Sequence, residues 1–130
     1  MIIKTTALLA TVALGLGTAG FLATGTAQAD WDIERERSKG CSAGAWTSLS
    51  LEKNRRTIEA DVDIERSPVG QTWRVRLAQN GTVIERTKRV ADREGDVELS
   101  RRLTDQPGRD KVAVRAVSAM GEVCRVTVRI

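Results

Sequence analysis

The sequence predicts an all-β fold, a seven-stranded antiparallel sandwich, and three observations carry that prediction. From Thr47 onward apolar residues return at every second position, the period of a strand with one buried face, and no helical period is sustained. Turn residues divide this run into seven short segments within about 90 residues, the spacing of a sandwich. Two cysteines, Cys41 and Cys124, stand just before the first segment and near the start of the last.

The first strand, "SLSLE", puts Leu49 and Leu51 on one face. The second, "TIEADVDIE", is the most regular: Ile58, Ala60, Val62 and Ile64 alternate with Glu59, Asp61, Asp63 and Glu65. After the turn "RSPVG", the third strand "QTWRVRL" sets Trp73, Val75 and Leu77 against Thr72, Arg74 and Arg76. Asn80-Gly81 closes a hairpin, because both residues tolerate the positive φ of a type I′ turn. The fourth strand, "TVIERTKRV", buries either Val83 or Ile84. "VADREGD" leads to the fifth, "DVELSRRL", where Arg101 falls in register with the inward Val97, Leu99 and Leu103. A bulge or an early end to that strand would keep the charge out of the core. The loop "TDQPGRD" precedes "KVAVRAVS", and the turn "AMGE" joins it to "VCRVTVRI".

The cysteines test this count. If every connection reverses the chain, strands one and seven run the same way and their starts share one end. Cys41 and Cys124 then come together, whereas six or eight strands would leave them at opposite ends. An even cysteine count in an exported chain argues for this disulfide over two buried thiols. Zinc needs about four ligands, and a chain without His cannot assemble them, so neither metal nor other cofactor is expected.

The cysteine ahead of the first strand, "GQTWRVRLAQNGT", "VAVRAV" and "GEVCR" resemble the small exported Ig-like proteins of high-GC Gram-positive bacteria over residues 41–130. The resemblance implies an Ig-like or fibronectin III-like sandwich and supplies no catalytic or binding residue. Trp73 resembles the core Trp of immunoglobulin domains. The bridge departs from their pattern, joining first and seventh strands instead of second and sixth.

Residues 1–29 have the three parts of a signal peptide: Lys4, an apolar run from Ala7 to Leu22, and the small-residue ending Ala27-Gln28-Ala29. An uncleaved anchor is the alternative reading of the same run. No lipidated cysteine is expected, since Cys41 sits behind the charged "DWDIERERSK". The remaining 101 residues divide into a charged, flexible lead, 30–40, and one domain, 41–130. The expected location is secreted or extracellular, including association with the cell wall.

Three short motifs invite chemistry and fail on context. "GCSAG" spells a nucleophile elbow around Ser42, but an elbow needs a strand-turn-helix and a general base, and the chain has no His. "SLEK" spells Ser-x-x-Lys, which works on a helix; on a strand Ser50 and Lys53 point to opposite faces. Asn80-Gly81-Thr82 is a glycosylation sequon that the hairpin already explains. The carboxylates of the second strand and "DREGD" read as a solvated face and a solvated turn. No catalytic residue is expected.

One surface stands out. If the third, sixth and seventh strands share a sheet, their outward positions bring together Arg74, Arg76, Arg115, Arg125 and Arg129, a candidate anion-binding face. The second strand's acidic row then lies on the opposite sheet. The face lacks interleaved aromatics, which argues against nucleic acid. Anionic envelope polymers, or another protein such as a second copy, suit it better. The functional expectation is a non-catalytic extracellular binding or interaction module. The alternative is a structural envelope protein without a specific ligand.

Overall fold

The computed structural model describes residues 32–130. The expected signal peptide, residues 1–29, lies outside the described residues, as do Asp30 and Trp31. Eight strands follow: β1 (Asp32–Gly40), β2 (Trp46–Asn54), β3 (Thr57–Glu65), β4 (Thr72–Gln79), β5 (Thr82–Val90), β6 (Val97–Thr104), β7 (Lys111–Ser118) and β8 (Val123–Arg129). They form two sheets, ordered β1-β2-β3-β6 and β5-β4-β7-β8. In the constant-type immunoglobulin arrangement the fourth strand of the domain sits in the other sheet; here that strand, β5, lies beside β4.

The extra strand corrects the expectation of a flexible lead. Residues 32–40 are β1, paired onto the free edge of β2. Its side chains from Ile33 to Gly40 are all exposed, so no apolar alternation marks it. Backbone pairing holds this strand, and charges on both faces give it the character of a guarded sheet edge. Because β1 precedes Cys41, the count of seven from β2 to β8 still holds, with Cys41 just before the first of them and Cys124 near the start of the last. The Cys41–Cys124 disulfide is formed, with a Cα–Cα distance of 4.4 Å.

Alternation builds the core as the sequence implies. Leu49 and Leu51 of β2, Ile58, Ala60, Val62 and Ile64 of β3, and Val97, Leu99 and Leu103 of β6 face inward. They meet Trp73, Val75 and Leu77 of β4, Val112, Val114 and Ala116 of β7, and Cys124, Val126 and Val128 of β8. Trp73 is fully buried and its Nε1 donates to Ser67 Oγ at 2.9 Å. Ser67 is fixed in turn by Gly95, whose carbonyl accepts the Ser67 amide at 3.0 Å. A Cβ at Gly95 would stand 2.4 Å from the Ser67 carbonyl oxygen, and its φ is +79°, so only glycine fits. Asn80 and Gly81 have φ of 52° and 88°, the expected hairpin turn.

Two irregularities are resolved, the first differently from expectation and the second in favour of Ile84 over Val83. Arg101 is neither bulged away nor beyond the strand end: it pairs with Ala60 in unbroken register and faces inward. Since β6 and β5 are both sheet edges, its long side chain reaches across the open side of the sandwich. There Nη1 donates to Glu85 Oε1 at 2.8 Å and to the Ile84 carbonyl at 3.2 Å. The bulge lies instead between β4 and β5. Leu77 opposes Glu85 while Ala78 opposes Val83, which leaves Ile84 as the additional residue, packed against the core.

The far end of the sandwich is tied by Asp110, which is fully buried. Its Oδ1 accepts from Gln79 Nε2 at 3.0 Å and Asn80 Nδ2 at 2.9 Å, and its Oδ2 accepts the Gln106 amide at 3.2 Å. Burial pushes its pKa up, but hydrogen bonds from the Asn80 and Gln79 side chains and the Gln106 amide outweigh burial and leave it below the ordinary carboxylate range. A depressed folded-state pKa means stability that is present above the unfolded pKa and lost as pH falls through the folded one. Asp110→Asn should therefore lower stability at neutral pH and flatten the loss seen below about pH 4, as read by denaturant titration at stepped pH.

The disulfide closes a loop of 83 residues, worth about 4.5 kcal/mol in the chain-entropy account. A domain this size holds only roughly 5–10 kcal/mol in total. Replacing Cys41 and Cys124 together by Ser should drop the melting temperature by more than about 10 °C. Equal melting of wild type with and without reductant would refute the assignment.

Candidate anion-binding face

The outer face of the β5-β4-β7-β8 sheet is built by register. Arg76 of β4 stands opposite Arg86 of β5 on one side and Arg115 of β7 on the other, and Arg115 stands opposite Arg125 of β8. The result is a row of four arginines, Arg86–Arg76–Arg115–Arg125, running across all four strands. Beside it, Arg74 stands opposite Lys88. Arg129 faces Lys111 at the far end of the sheet, four residues along β8 from Arg125.

Of the five expected residues, Arg76, Arg115 and Arg125 therefore share one row, Arg74 adjoins it, and Arg129 belongs to a separate pair. Arg86 and Lys88 are additions. Sequence reasoning missed them because the choice between Val83 and Ile84 decides which of 85, 87 and 89 or 86 and 88 point outward. The Asn80-Gly81 turn fixes only one end of that strand.

Long cationic side chains rise from a floor of small residues and make the face concave. Arg74, Arg76, Arg86, Lys88, Arg115 and Val117 border a groove of about 680 Å³. A second hollow of about 330 Å³ continues from Arg74 and Lys88 toward Thr72 and Ala119. A third, about 280 Å³, runs from Arg76 and Arg115 over Ala113 to Arg125 and Thr127. The hollows share Arg74, Arg76, Arg115 and Lys88, so the groove system is one surface.

Among the described residues no carboxylate pairs with this face: the ion pairs Lys53–Asp105, Arg101–Glu85 and Arg102–Glu59 all lie off it. The opposite sheet is the reverse. Glu59, Asp61, Asp63 and Glu65 line β3, with Glu52 and Glu98 on the strands beside it. Asp63 is held above the ordinary carboxylate range, first by partial burial and then by the charges of Glu98, Asp61, Glu65 and Asp96.

The other motifs have structural roles. Ser42 Oγ accepts the Val123 amide at 2.9 Å while the Ser42 amide donates to the Val123 carbonyl at 3.0 Å, docking the 41–45 loop on β8. Glu122, nearly buried, completes the clasp: its Oε2 accepts the amides of Ala43 and Ala45 at 2.9 and 2.8 Å. Ser50 and Lys53 point apart, toward Glu34 and Asp105 respectively. Asp92, Glu94 and Asp96 bring carboxylate oxygens within 4.8 Å of one another. Asp92 Oδ1 accepts the amides of Glu94 and Asp96, and these backbone bonds lower its pKa, so this carboxylate holds its own turn.

Like charges directly opposite on paired strands destabilise a sheet, by roughly 0.2–1 kcal/mol per pair. Arg76 has two such neighbours. Arg76→Glu should raise the melting temperature by a few degrees at low ionic strength, with a gain that shrinks as salt is added. An unchanged or lower melting temperature would show that the row carries no stored repulsion.

Comparison with family models, with curated proteins and with solved structures finds no match to this chain, so any functional reading rests on the chemistry of its own surfaces.

Proposed function

We propose that the chain is a non-catalytic extracellular interaction module whose arginine face recognises arrays of closely spaced anionic groups. The observation that carries this reading is the Arg86–Arg76–Arg115–Arg125 row, which no acid among the described residues neutralises. Guanidinium forks bind carboxylate and phosphate in a bidentate way. A groove walled by several of them favours a ligand carrying more than one charge. Among the described residues nothing aromatic borders the groove to stack a base, so nucleic acid is disfavoured.

The non-catalytic part is supported by the absence of His from the sequence and by the structural use of Ser42. An extracellular location is supported by the signal-like N-terminus and by the disulfide, which persists in oxidising compartments.

Two defined polymers serve as probes, inorganic polyphosphate and a polyuronate. Both should bind at low salt, with affinity falling steeply as counterion release loses its advantage. Replacing Arg76, Arg86 and Arg125 together by Glu should abolish binding with the fold intact, because exposed charges contribute little to stability. The control reverses Arg56, Arg93 and Arg109, which are exposed but lie in connections off the face. Equal loss in both variants would mean that net charge alone matters. Failure of wild type to bind either polymer at low salt would leave the structural envelope reading.

A further inference from the structure

We infer that one partner of the arginine face is the acidic face of a second copy of this chain, giving a head-to-tail stack. This rests on the anion-recognition reading and names an occupant for it. The anionic array that the molecule itself supplies is the outer row of β3, where Glu59, Asp61, Asp63 and Glu65 recur at every second position. Among the described residues Glu59 pairs with Arg102 at 3.5 Å, the arginine largely and the glutamate partly exposed. Asp61 accepts a hydrogen bond from Ser100 Oγ, and the other ion pairs of the described residues, Lys53–Asp105 and Arg101–Glu85, involve neither this row nor the basic one.

The two rows differ in direction. The acids run along one strand and the arginines run across four. A copy laid on its neighbour with strands crossing near a right angle would set four arginines along four carboxylates. Three interstrand steps make the basic row about 14 Å long, and three two-residue steps make the acidic row about 20 Å. Arginine side chains span that difference by splaying. A parallel stack would instead cross the rows and match them at one point only.

The two faces lie on opposite sheets, so the contact is heterologous: each copy offers one face up and the other down. Repeating it cannot consume both faces of a pair, so association continues beyond two copies. The net charge of the chain, +4, is small enough not to oppose stacking. A soluble polyanion competes for the same arginines and should disperse the stack.

Sedimentation velocity at low salt tests this with two charge-neutral variants. One carries Arg76→Gln, Arg86→Gln and Arg125→Gln; the other carries Asp61→Asn, Asp63→Asn and Glu65→Gln. Wild type should form concentration-dependent species larger than a dimer that dissolve on adding salt. Each variant alone should associate at least about tenfold more weakly. An equimolar mixture should form a one-to-one dimer and stop there, since each variant keeps one working face. Polyanion binding by a wild type that stays monomeric would overturn the stack and leave the anion reading standing. Oligomers that persist in both variants would place self-association elsewhere, such as the β1 edge. A wild type that neither binds polymer nor associates would remove both readings.

Discussion

The register of β4 against its two neighbours is the constraint on which the molecule's character depends. Strand side chains alternate faces, so one set of backbone pairings places Trp73, Val75 and Leu77 in the core and Arg74 and Arg76 on the surface. The same pairings decide what each arginine faces. A slip of one residue would bury charge and expose the tryptophan, which is why core packing enforces the charged surface. Burial of Trp73 with its indole bonded to Ser67 fixes the register at one end, and Gln79, bonded to Asp110, fixes it at the other.

Closure of the sandwich uses three unlike devices. At the loop end the disulfide, the Ser42–Val123 pairing and the Glu122 carboxylate hold the 41–45 loop against β8. At the far end the Asp110 cluster joins the β4–β5 hairpin to the β6–β7 loop. Along the open side, Arg101 spans from β6 to Glu85 on β5. None of these devices draws on the arginines of the β5-β4-β7-β8 outer face, which leaves that row open to solvent.

Much of this was legible in the sequence. Where a strand has one buried face, period-two alternation is strong, and β2 to β4 and β6 to β8 follow from it along with their core residues and the disulfide. β1 was illegible because its side chains from Ile33 to Gly40 stay exposed: "DIERERSKG" alternates acid and base, which reads as a solvated lead, and pairing with β2 makes it a strand. Arg101 was recognised as misplaced, but no local pattern could show that its partner was Glu85, sixteen residues earlier on the other sheet. The arginine face was legible in part. Arg74, Arg76, Arg115 and Arg125 follow from alternation alone, whereas grouping them into a row needs interstrand register, which a single sequence does not encode locally.

The last component, β5, shows how one irregularity sets the electrostatics. From the Asn80-Gly81 turn an unbroken ladder would continue Gln79–Thr82 and Ala78–Val83 into pairs of Leu77 with Ile84 and Arg76 with Glu85. Glu85 would then stand on the outer face beside Arg76 and neutralise it. The additional residue at Ile84 shifts the ladder by one, so that Leu77 faces Glu85 and Arg76 faces Arg86. Glu85 moves to the inner edge, where it meets Arg101, and Arg86 and Lys88 take the outer positions. A single bulge thus exchanges Glu85 and Arg89 on the face for Arg86 and Lys88, one acid fewer and one cation more. It also satisfies the one charge that the core of β6 would otherwise strand. The bulge therefore belongs to both the stability of the sandwich and the sign of its surface.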